Sequence, residues 1–557
     1  MFARLVLIWL AATCVSAAYV QWQSCDGPAT QTNVFVPESV SATLVPSSDG
    51  RGNLLTLRAE QWMEEAECQE LSHMVSAATI EIEMLGRSSA YRTTTNATCK
   101  KLKFAENSIS PLAHPVSLYV SVAGDIGPMP PLSTFHITLH LEGIDSEEIS
   151  CRQANITPAL SPAISSAITY STWALFLFVL LVGIARSAYS TPITLDDDEP
   201  RPVRTVLPNV GDCLQYLQFI FLTGGLSLRY PGFYQPVVSH LSWWSLFVNG
   251  PITHGRVYDR VEGGIYVLNG TYGGTYGLEL MTQIAGAPMS MDTWLNMVII
   301  MFIVGASIAL VIEVFWLVDR NRGSDSRPSR SVGGIRQTCS RILRVMLSYF
   351  MFPLAALSFY QLDQASWLPV YHTSLAAMLI VAMIASFVWL IRHIPTRSLG
   401  ALVFDSTRRY RQLAPSQDFR RQDERFIFII FALTFVRGAV VGGLQISGLA
   451  QLVVLGACEL VLLASIAGFQ AYSAFSVGSI AATIRLCSLI FLTAFLPGIA
   501  TNGIKSAIGY SLLIVHTGML VLGFLVPAAC DLTTVVKTWW AAPKPDVSLI
   551  LCGPLPV

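Results

Sequence analysis

Charged side chains are scarce in this 557-residue chain: Asp, Glu, Lys and Arg together supply 13% of it, against about 25% in an average soluble protein. The formal net charge is −1, so no global field attracts nucleic acid. Hydrophobic residues make up 52% of the chain, and the mean hydropathy is +0.52. With several long apolar runs, this composition indicates a polytopic membrane protein that contacts the lipid bilayer.

Catalytic and metal-binding signatures are missing as well. The chain has no Gly-Lys-Ser/Thr phosphate loop, no Gly-x-Gly-x-x-Gly, no His-Glu-x-x-His and no Cys-x-x-Cys. A transmembrane haem is not expected, because His372 and His516 lie on different predicted helices without a second pair. The sequence therefore predicts no enzyme activity, no bound metal and no bound cofactor.

The first 18 residues have the pattern of a secretory signal peptide. A basic start at 1–4 precedes a short apolar core at 5–14 and a small-residue cleavage motif at 15–18. This core is too short to cross a bilayer of roughly 30 Å. A cleaved signal would place the following segment in the lumen or outside the cell.

The polar segment 19–165 is predicted to form a lumenal or extracellular β-sandwich. Runs such as 116–122 and 134–141 alternate apolar and polar side chains, as half-buried strands do. Pro- and Gly-rich breaks, for example at 124–131, separate these runs. A segment of this length and pattern is typical of a sandwich domain.

Four cysteines of this segment predict two disulfides, because an even number in an oxidising compartment usually pairs. Three connectivities are open, and we favour Cys68–Cys99 nested inside Cys25–Cys151. The Asn-x-Thr sequons of the chain predict glycosylation sites at Asn96, Asn155 and Asn269.

Residues 166–530 are predicted to form an all-α bundle of nine membrane spans, with a short tail at 531–557. The predicted spans are 167–185, 212–228, 294–318, 343–360, 367–391, 426–447, 449–471, 476–497 and 506–529. Arginines concentrate in the gaps after the third and fifth spans, which the positive-inside rule assigns to the cytosol. The tail is then cytosolic and the N-terminus lumenal or extracellular, in the endoplasmic reticulum or the plasma membrane.

The apolar run 435–463 contains two opposite charges, Arg437 and Glu459. We place a turn at Ser447-Gly448, so that Arg437 lies ten residues before Ser447 and Glu459 twelve after it. At about 1.5 Å per residue, both are roughly 15–18 Å deep, near the midplane of the bilayer. The eighth span brings Arg485 to a similar depth, and the sequence therefore predicts an intramembrane cluster of these three residues.

Two interpretations of this cluster are open. In the structural interpretation, Glu459 neutralises one or both arginines and stabilises the packing of the helix bundle. In the functional one, the cluster lines a hydrated path for an ion or an anionic solute. Gln445 and Gln451 flank the turn and either line an entrance or lie in the helix interface. The Gly438-x-x-x-Gly442 pattern favours close helix contact.

Two further ionisable residues lie in predicted spans. Glu313 is near the cytosolic end of the third span and is expected to be interfacial or partnered rather than an ion site. His516 in the ninth span can titrate, but a lone buried histidine is usually a hydrogen-bonding core residue. The oligomeric state stays open, a homo-oligomer included.

Two stretches of the chain carry a family resemblance. The first stretch, at 211–250, contains GDCLQYLQFIFLTGGLSLRYPGFY and WWSLFVNG. The second has an Arg in one span (Arg437), then Gln-x-Ser-Gly-x-x-Gln, then a Glu in the next span (Glu459). These motifs resemble those of fungal TRP-like membrane proteins, a family that includes the flavin carriers and a polycystin-like member. The order of a signal peptide, an ML-like (lipid-recognition-like) β-sandwich and nine spans is similar too.

This resemblance implies three alternative functions. The first is transport of FAD into the endoplasmic reticulum lumen, with effects on cell-wall maintenance; FAD would be a solute rather than a cofactor, and Arg437 and Arg485 suit its phosphates. The second is a calcium-permeable channel in calcium homeostasis, although the gap 497–505 has no acidic residue for a conventional filter. The third is sensing or handling of a sterol or another lipid by the ML-like domain.

Overall fold

The computed structural model describes residues 16–25, 39–46, 53–84, 87–101, 116–126, 134–143, 148–158, 160, 162–189, 210–247, 277–285, 290–321, 334–365, 368, 370–393, 417–469 and 476–541. Several predicted features lie outside these residues. They are residues 1–15 of the signal peptide, the Asn269 sequon, most of the two arginine-rich gaps and the end of the tail.

The N-terminal domain is built on an antiparallel sheet of nine strands. The strands are β1 Ser16–Ser24, β2 Ser39–Pro46, β3 Asn53–Met63, β4 Val75–Met84, β5 Arg87–Thr94, β6 Asn96–Lys101, β7 Val116–Ile126, β8 Phe135–Gly143 and β9 Glu148–Pro158. Their order in the sheet is β5-β4-β8-β9-β1-β2-β3-β7-β6. Buried and half-buried side chains alternate along β8, as the sequence pattern predicts.

The two halves of this sheet enclose one hydrophobic core. Leu55 of β3 and Leu118 of β7 belong to the same core as Ile80 of β4. The Thr93 hydroxyl on β5 donates to the Ala123 carbonyl on β7 at 3.2 Å. The sheet therefore curls until its two ends face each other. The predicted β domain is confirmed, with one continuous hydrogen-bonded ladder where a sandwich has two separate sheets.

Two disulfides fix the domain. Helix α1, Glu65–Met74, carries Cys68, which is bonded to Cys99 of the edge strand β6. Cys25, directly after β1, is bonded to Cys151 of β9. This nested pairing is the one favoured from the sequence, and it is confirmed.

The C-terminal part is helical. The helices are α2 Pro162–Tyr189, α3 Val210–Thr223, α4 Tyr234–Ser239, α5 Leu278–Ile284, α6 Ser290–Asn321, α7 Gly334–Asp363, α8 Val370–His393, α9 Gln417–Gly443, α10 Gly448–Phe469, α11 Val477–Leu492, α12 Asn502–Gly518 and α13 Val526–Ala541. A seven-residue π-helix, Met519–Leu525, joins α12 to α13.

Eight helical segments within the described residues are long and apolar enough to cross a membrane. They are Ala163–Arg186, Thr293–Leu310, Val345–Asp363, Val370–Arg392, Arg425–Gly443, Gly448–Phe469, Val477–Phe495 and Asn502–Lys537. These segments correspond to the first and the third to ninth predicted spans, and they confirm a multi-pass membrane protein.

The second predicted span, 212–228, is not among these segments. Within the described residues this part of the chain forms α3, a helix of 14 residues that is about 21 Å long. The chain leaves α3 at Gly224 and Gly225, where a Cβ atom would lie 2.8 Å from side-chain atoms of Val238 and Leu278, respectively. Nearly every side chain of α3 is buried, so surrounding segments enclose this helix.

The segment that follows α3 links the β domain to the helical part. The backbone N–H of Phe233 donates to the Thr134 hydroxyl of the β domain at 3.1 Å. The Phe233 ring also stacks on Tyr510 of α12, with 4.2 Å between ring centroids. Nearby, the N–H of Arg229 donates to the carbonyl of Phe495, just after α11, at 2.9 Å. The β domain is thus connected to the last helices through one short stretch of chain.

Candidate functional site

Three charged side chains from three helices meet inside the bundle. Nη2 of Arg437, on α9, lies 3.0 Å from Oε1 of Glu459 on α10. Nε of Arg485, on α11, donates to the same carboxylate oxygen at 3.1 Å. The Arg437, Glu459 and Arg485 side chains are 10%, 1% and 9% exposed, respectively. We call these three residues the charge cluster; the structure places them together at one level of the bundle.

The charge cluster has unused bonding capacity. Nε and Nη2 of Arg437 and Oε2 of Glu459 are buried without a hydrogen-bond partner among the described residues. The 3.0 Å contact of Arg437 is therefore an ion pair without an aligned hydrogen bond. Each such buried polar atom costs about 1–3 kcal/mol. Two cations and one anion also leave a formal charge of +1, so the cluster is chemically suited to a further anionic or polar group.

A short hairpin turn sets Arg437 and Glu459 at the same level. Helix α9 ends at Gly443 and α10 begins at Gly448, so only four residues separate the two antiparallel helices. A Cβ atom on Gly448 would lie 2.2 Å from the carbonyl oxygen of Ser227. Glycine is therefore required where the turn packs against the segment after α3.

The two glutamines that flank this turn are bonded into the helix interface. Oε1 of Gln451 accepts from the Ser227 N–H at 2.9 Å, and Nε2 donates to the Val441 carbonyl at 3.2 Å. Oε1 of Gln445 accepts from the Ser227 hydroxyl at 3.0 Å and from the Leu278 N–H at 3.1 Å. These bonds favour the interface interpretation of both glutamines over an entrance.

One face of α3 points toward the charge cluster. The ring of Phe219 lies 6.0 Å from the guanidinium carbon of Arg485. Asp212 and Tyr216 lie seven and three residues earlier on the same helix. The spacing 212, 216 and 219 puts the three residues on one helix face. The Phe219 ring thus borders the charge cluster, and Asp212 and Tyr216 lie on the same face of α3.

His516 joins this polar region from α12. Its Nδ1 is 3.0 Å from the Tyr216 hydroxyl, and His516 is 4% exposed. This geometry is that of a hydrogen-bonded core histidine, as the sequence suggests. Glu313 is separate: it is exposed on α6 and lies three residues beyond the apolar segment that ends at Leu310.

Sequence reasoning missed Asp212 and Tyr216. Both lie in the predicted second span, where hydropathy alone does not show which way their side chains point. The signal available in the sequence is the helical spacing of Asp212, Tyr216 and Phe219 within a short, glutamine-containing helix. Among the residues that the structure describes, no group of three His, Cys, Asp or Glu residues is arranged to hold a metal ion.

Comparisons with known proteins give one family match. The family model described as "Transient receptor potential (TRP) ion channel" matches residues 172–538, which include the charge cluster and α3. A Schizosaccharomyces pombe protein named "Uncharacterized membrane protein" is 24% identical over 353 residues, which is 59% of this chain and 39% of that protein. The chain therefore covers less than half of that relative's length. No solved structure matches the chain.

Proposed function

Because the chain belongs to the transient receptor potential (TRP) ion channel family, we propose that it moves a solute across a membrane and that the solute is anionic. The observation that carries the proposal is the charge cluster, with two buried arginines on one carboxylate. A cluster with a formal charge of +1 attracts anions and repels cations. Guanidinium groups also match the geometry of phosphate oxygens.

FAD is the solute that we propose, since its pyrophosphate carries the charge that the two arginines would recognise. Nε and Nη2 of Arg437, which make no hydrogen bond among the described residues, supply donors for phosphate oxygens. Members of fungal TRP-like families that resemble this chain include flavin carriers. We propose an anionic solute as the class of substrate, and FAD is the compound with which we test it.

A series of glutamine variants tests whether FAD uptake depends on the net positive charge of the charge cluster. Arg437→Gln leaves a formal charge of zero, Glu459→Gln leaves +2, and the double variant keeps +1. FAD uptake into proteoliposomes should fall strongly in Arg437→Gln and be retained in the double variant. The exposed Arg92→Gln variant in the β domain is the matched control. Full uptake by a folded Arg437→Gln protein would contradict the proposal.

A calcium-permeable channel is the second candidate. Two observations favour it, the family's description as an ion channel and the unpartnered Oε2 of Glu459. The same variants distinguish a calcium channel from a protein that moves an anionic solute, because a cation path requires the Glu459 carboxylate. Calcium flux that persists in Arg437→Gln and disappears in Glu459→Gln would support this candidate and count against an anionic solute.

Lipid handling by the β domain is the third hypothesis, and its described side chains favour an ordinary core. The inward residues of the curled sheet pack on one another around Leu55, Ile80 and Leu118. Native mass spectrometry of the full-length protein tests this hypothesis, since a co-purified sterol would support it and lipid-free spectra would oppose it.

We further propose that the β domain faces the lumen or the cell exterior. Its two disulfides support this placement because such bonds persist in oxidising compartments. Asn96 is exposed on the edge strand β6, where a glycan has room. A glycosidase-sensitive mass shift that Asn96→Gln removes would support the placement, whereas protease access to the β domain from the cytosolic side would contradict it.

A further inference from the structure

The stretch of chain between α3 and α4 contacts the turn that joins two helices of the charge cluster. We call residues 227–233 the connecting segment. The N–H of Ser227 donates to Oε1 of Gln451 at 2.9 Å, and the Ser227 hydroxyl lies 3.0 Å from Oε1 of Gln445. These two glutamines flank the α9–α10 turn. The connecting segment therefore binds the turn that sets two members of the charge cluster at one level.

The connecting segment also contacts α12 and the end of α11, the helix that carries the third member of the charge cluster. The N–H of Arg229 donates to the carbonyl of Phe495, three residues after the end of α11, at 2.9 Å. A Cβ atom on Gly509 of α12 would lie 2.8 Å from Cγ of Pro231 and 3.0 Å from Cζ of Phe233. One short stretch of chain thus contacts the ends of α9, α10 and α11 and one face of α12.

The β domain is bonded to the same connecting segment. The N–H of Phe233 donates to the Thr134 hydroxyl at 3.1 Å, and the hydroxyl oxygens of Thr134 and Thr157 lie 2.9 Å apart. Thr157 of β9 is 2% exposed, and a Cβ atom on Gly232 would lie 2.0 Å from its Oγ1. Glycine at this position therefore permits the contact, because any other residue would push the β domain and the connecting segment apart.

We propose that Thr134 is a positioning residue for the charge cluster: through its bond to Phe233 it fixes the connecting segment, which in turn fixes the relative placement of α9, α10 and α11. Packed and hydrogen-bonded contacts of this kind transmit a displacement between distant groups. The β domain thus controls how closely the two arginines approach Glu459. This inference deepens the proposed function, on which its transport readout rests, by assigning the β domain a role in the movement of solute.

A simpler role for Thr134 is attachment of the β domain to the helical part. That role predicts a smaller yield of folded protein or a lower melting temperature for Thr134→Val, while the folded molecules keep their affinity for solute. The positioning role predicts in addition a change at the α9–α10 turn and at the end of α11, and a higher KM. Thr134→Ser keeps the hydroxyl and should behave as the wild type does under the positioning role.

Hydrogen exchange of the full-length protein in detergent is the first test. Thr134→Val should accelerate exchange in peptides that cover 445–451 and 493–498, because these stretches lose a fixed partner when the connecting segment is released. Thr93→Val is the matched control: the Thr93 hydroxyl also donates within the β domain, to the Ala123 carbonyl at 3.2 Å, and its loss should affect that domain alone. Acceleration confined to the β domain and the connecting segment in Thr134→Val would overturn the proposal.

The concentration dependence of FAD uptake into proteoliposomes is the second test. We expect Thr134→Val to raise the KM for FAD about 3- to 10-fold, because the binding arrangement of the charge cluster loses the support of one hydrogen bond. A loss of folded protein alone lowers only the maximal rate, so the KM separates positioning from attachment. A wild-type KM in Thr134→Val would overturn the proposal. If the wild type moves no FAD, the proposed solute is wrong, and hydrogen exchange alone decides the role of Thr134.

A second variant decides the proposal if Thr134→Val does not fold. Thr157→Val removes the other hydroxyl of the pair, which lies 2.9 Å from that of Thr134, and should also accelerate exchange at 445–451 and 493–498. Thr157 belongs to the sequon of Asn155, so Asn155→Gln is the control for loss of a glycan and should leave exchange there unchanged. Exchange that is unaltered in Thr157→Val, or equally altered in Asn155→Gln, would overturn the proposal.

Discussion

Gly442 on α9 and Ala356 on α7 pack backbone against backbone: a Cβ atom on Gly442 would lie 1.8 Å from the Ala356 carbonyl oxygen. One turn earlier, a Cβ atom on Gly438 would lie 2.8 Å from the Phe352 carbonyl oxygen. The Gly-x-x-x-Gly pattern therefore acts as predicted, by letting two helices approach closely. Because Arg437 directly precedes Gly438, this contact also helps to fix the level of the charge cluster.

Alanine at Gly442 should destabilise the bundle. The obstructing atoms belong to backbone, so α9 and α7 must move apart, and we expect the melting temperature in detergent to fall by several degrees or the folded yield to collapse. Gly456→Ala on α10 is the control, since nothing lies within 4 Å of its Cβ position. That control should be neutral or slightly stabilising, because alanine favours a helix over glycine. Equal effects of the two substitutions would contradict the packing described here.

Phenylalanine at Tyr216 should cost about 1–3 kcal/mol of stability, because it removes the partner of a buried histidine nitrogen. The lost bond is the 3.0 Å contact between the Tyr216 hydroxyl and Nδ1 of His516. Thermal unfolding in detergent measures the loss. Tyr170→Phe, at a side chain that is 71% exposed, is the matched control and should unfold as the wild type does. A Tyr216→Phe protein with wild-type stability would show that this hydrogen bond does not stabilise the fold.

Leucine at Gln451 should loosen the link between the α9–α10 turn and the segment after α3. Gln451 is 0% exposed and accepts from the Ser227 N–H at 2.9 Å. Without the amide, that N–H is unpaired, and we expect faster hydrogen exchange in peptides that contain Ser227. Gln69→Leu, at an exposed position on α1, should leave exchange at Ser227 unchanged. Unaltered exchange in Gln451→Leu would rule out this role.

Peptide mapping under non-reducing conditions should recover Cys25 linked to Cys151 and Cys68 linked to Cys99. Replacing Cys68 and Cys99 together by serine should lower the stability of the β domain by about 2–5 kcal/mol. Part of that loss comes from placing a serine at position 68, where the native side chain is fully buried. A crossed linkage, such as Cys25 to Cys68, would contradict the sheet order given above.

The parts of the fold that follow local patterns were predictable from the sequence. Alternation along 134–141 predicts β8, and long apolar runs predict nine spans, of which eight match apolar helices among the described residues. The level of Arg437 and Glu459 was also predictable, because a short turn and a fixed helical rise determine it. Each of these features depends on neighbours in sequence, which a pattern can capture.

The parts that depend on distant contacts were not predictable. Hydropathy cannot distinguish a helix that faces lipid from one that other helices enclose, so the burial of α3 was not predicted. The same ambiguity hid Tyr216, whose significance comes from His516, a residue on another helix. The apolar character of the third span likewise extended its predicted end past Glu313, which is exposed beyond Leu310.

The π-helix at Met519–Leu525 determines in which direction the side chains of α13 point. Pro527 cannot donate a backbone hydrogen bond and would clash with the carbonyl four residues earlier in a regular helix, and the wider turn just before it makes room for the ring. The extra residue in that turn rotates α13 by about 100° relative to an uninterrupted α-helix. At this angle Asp531 contacts Arg186 of α2. The first and last membrane helices are therefore held in register by a single additional residue, and removing it would turn Asp531 away from its partner.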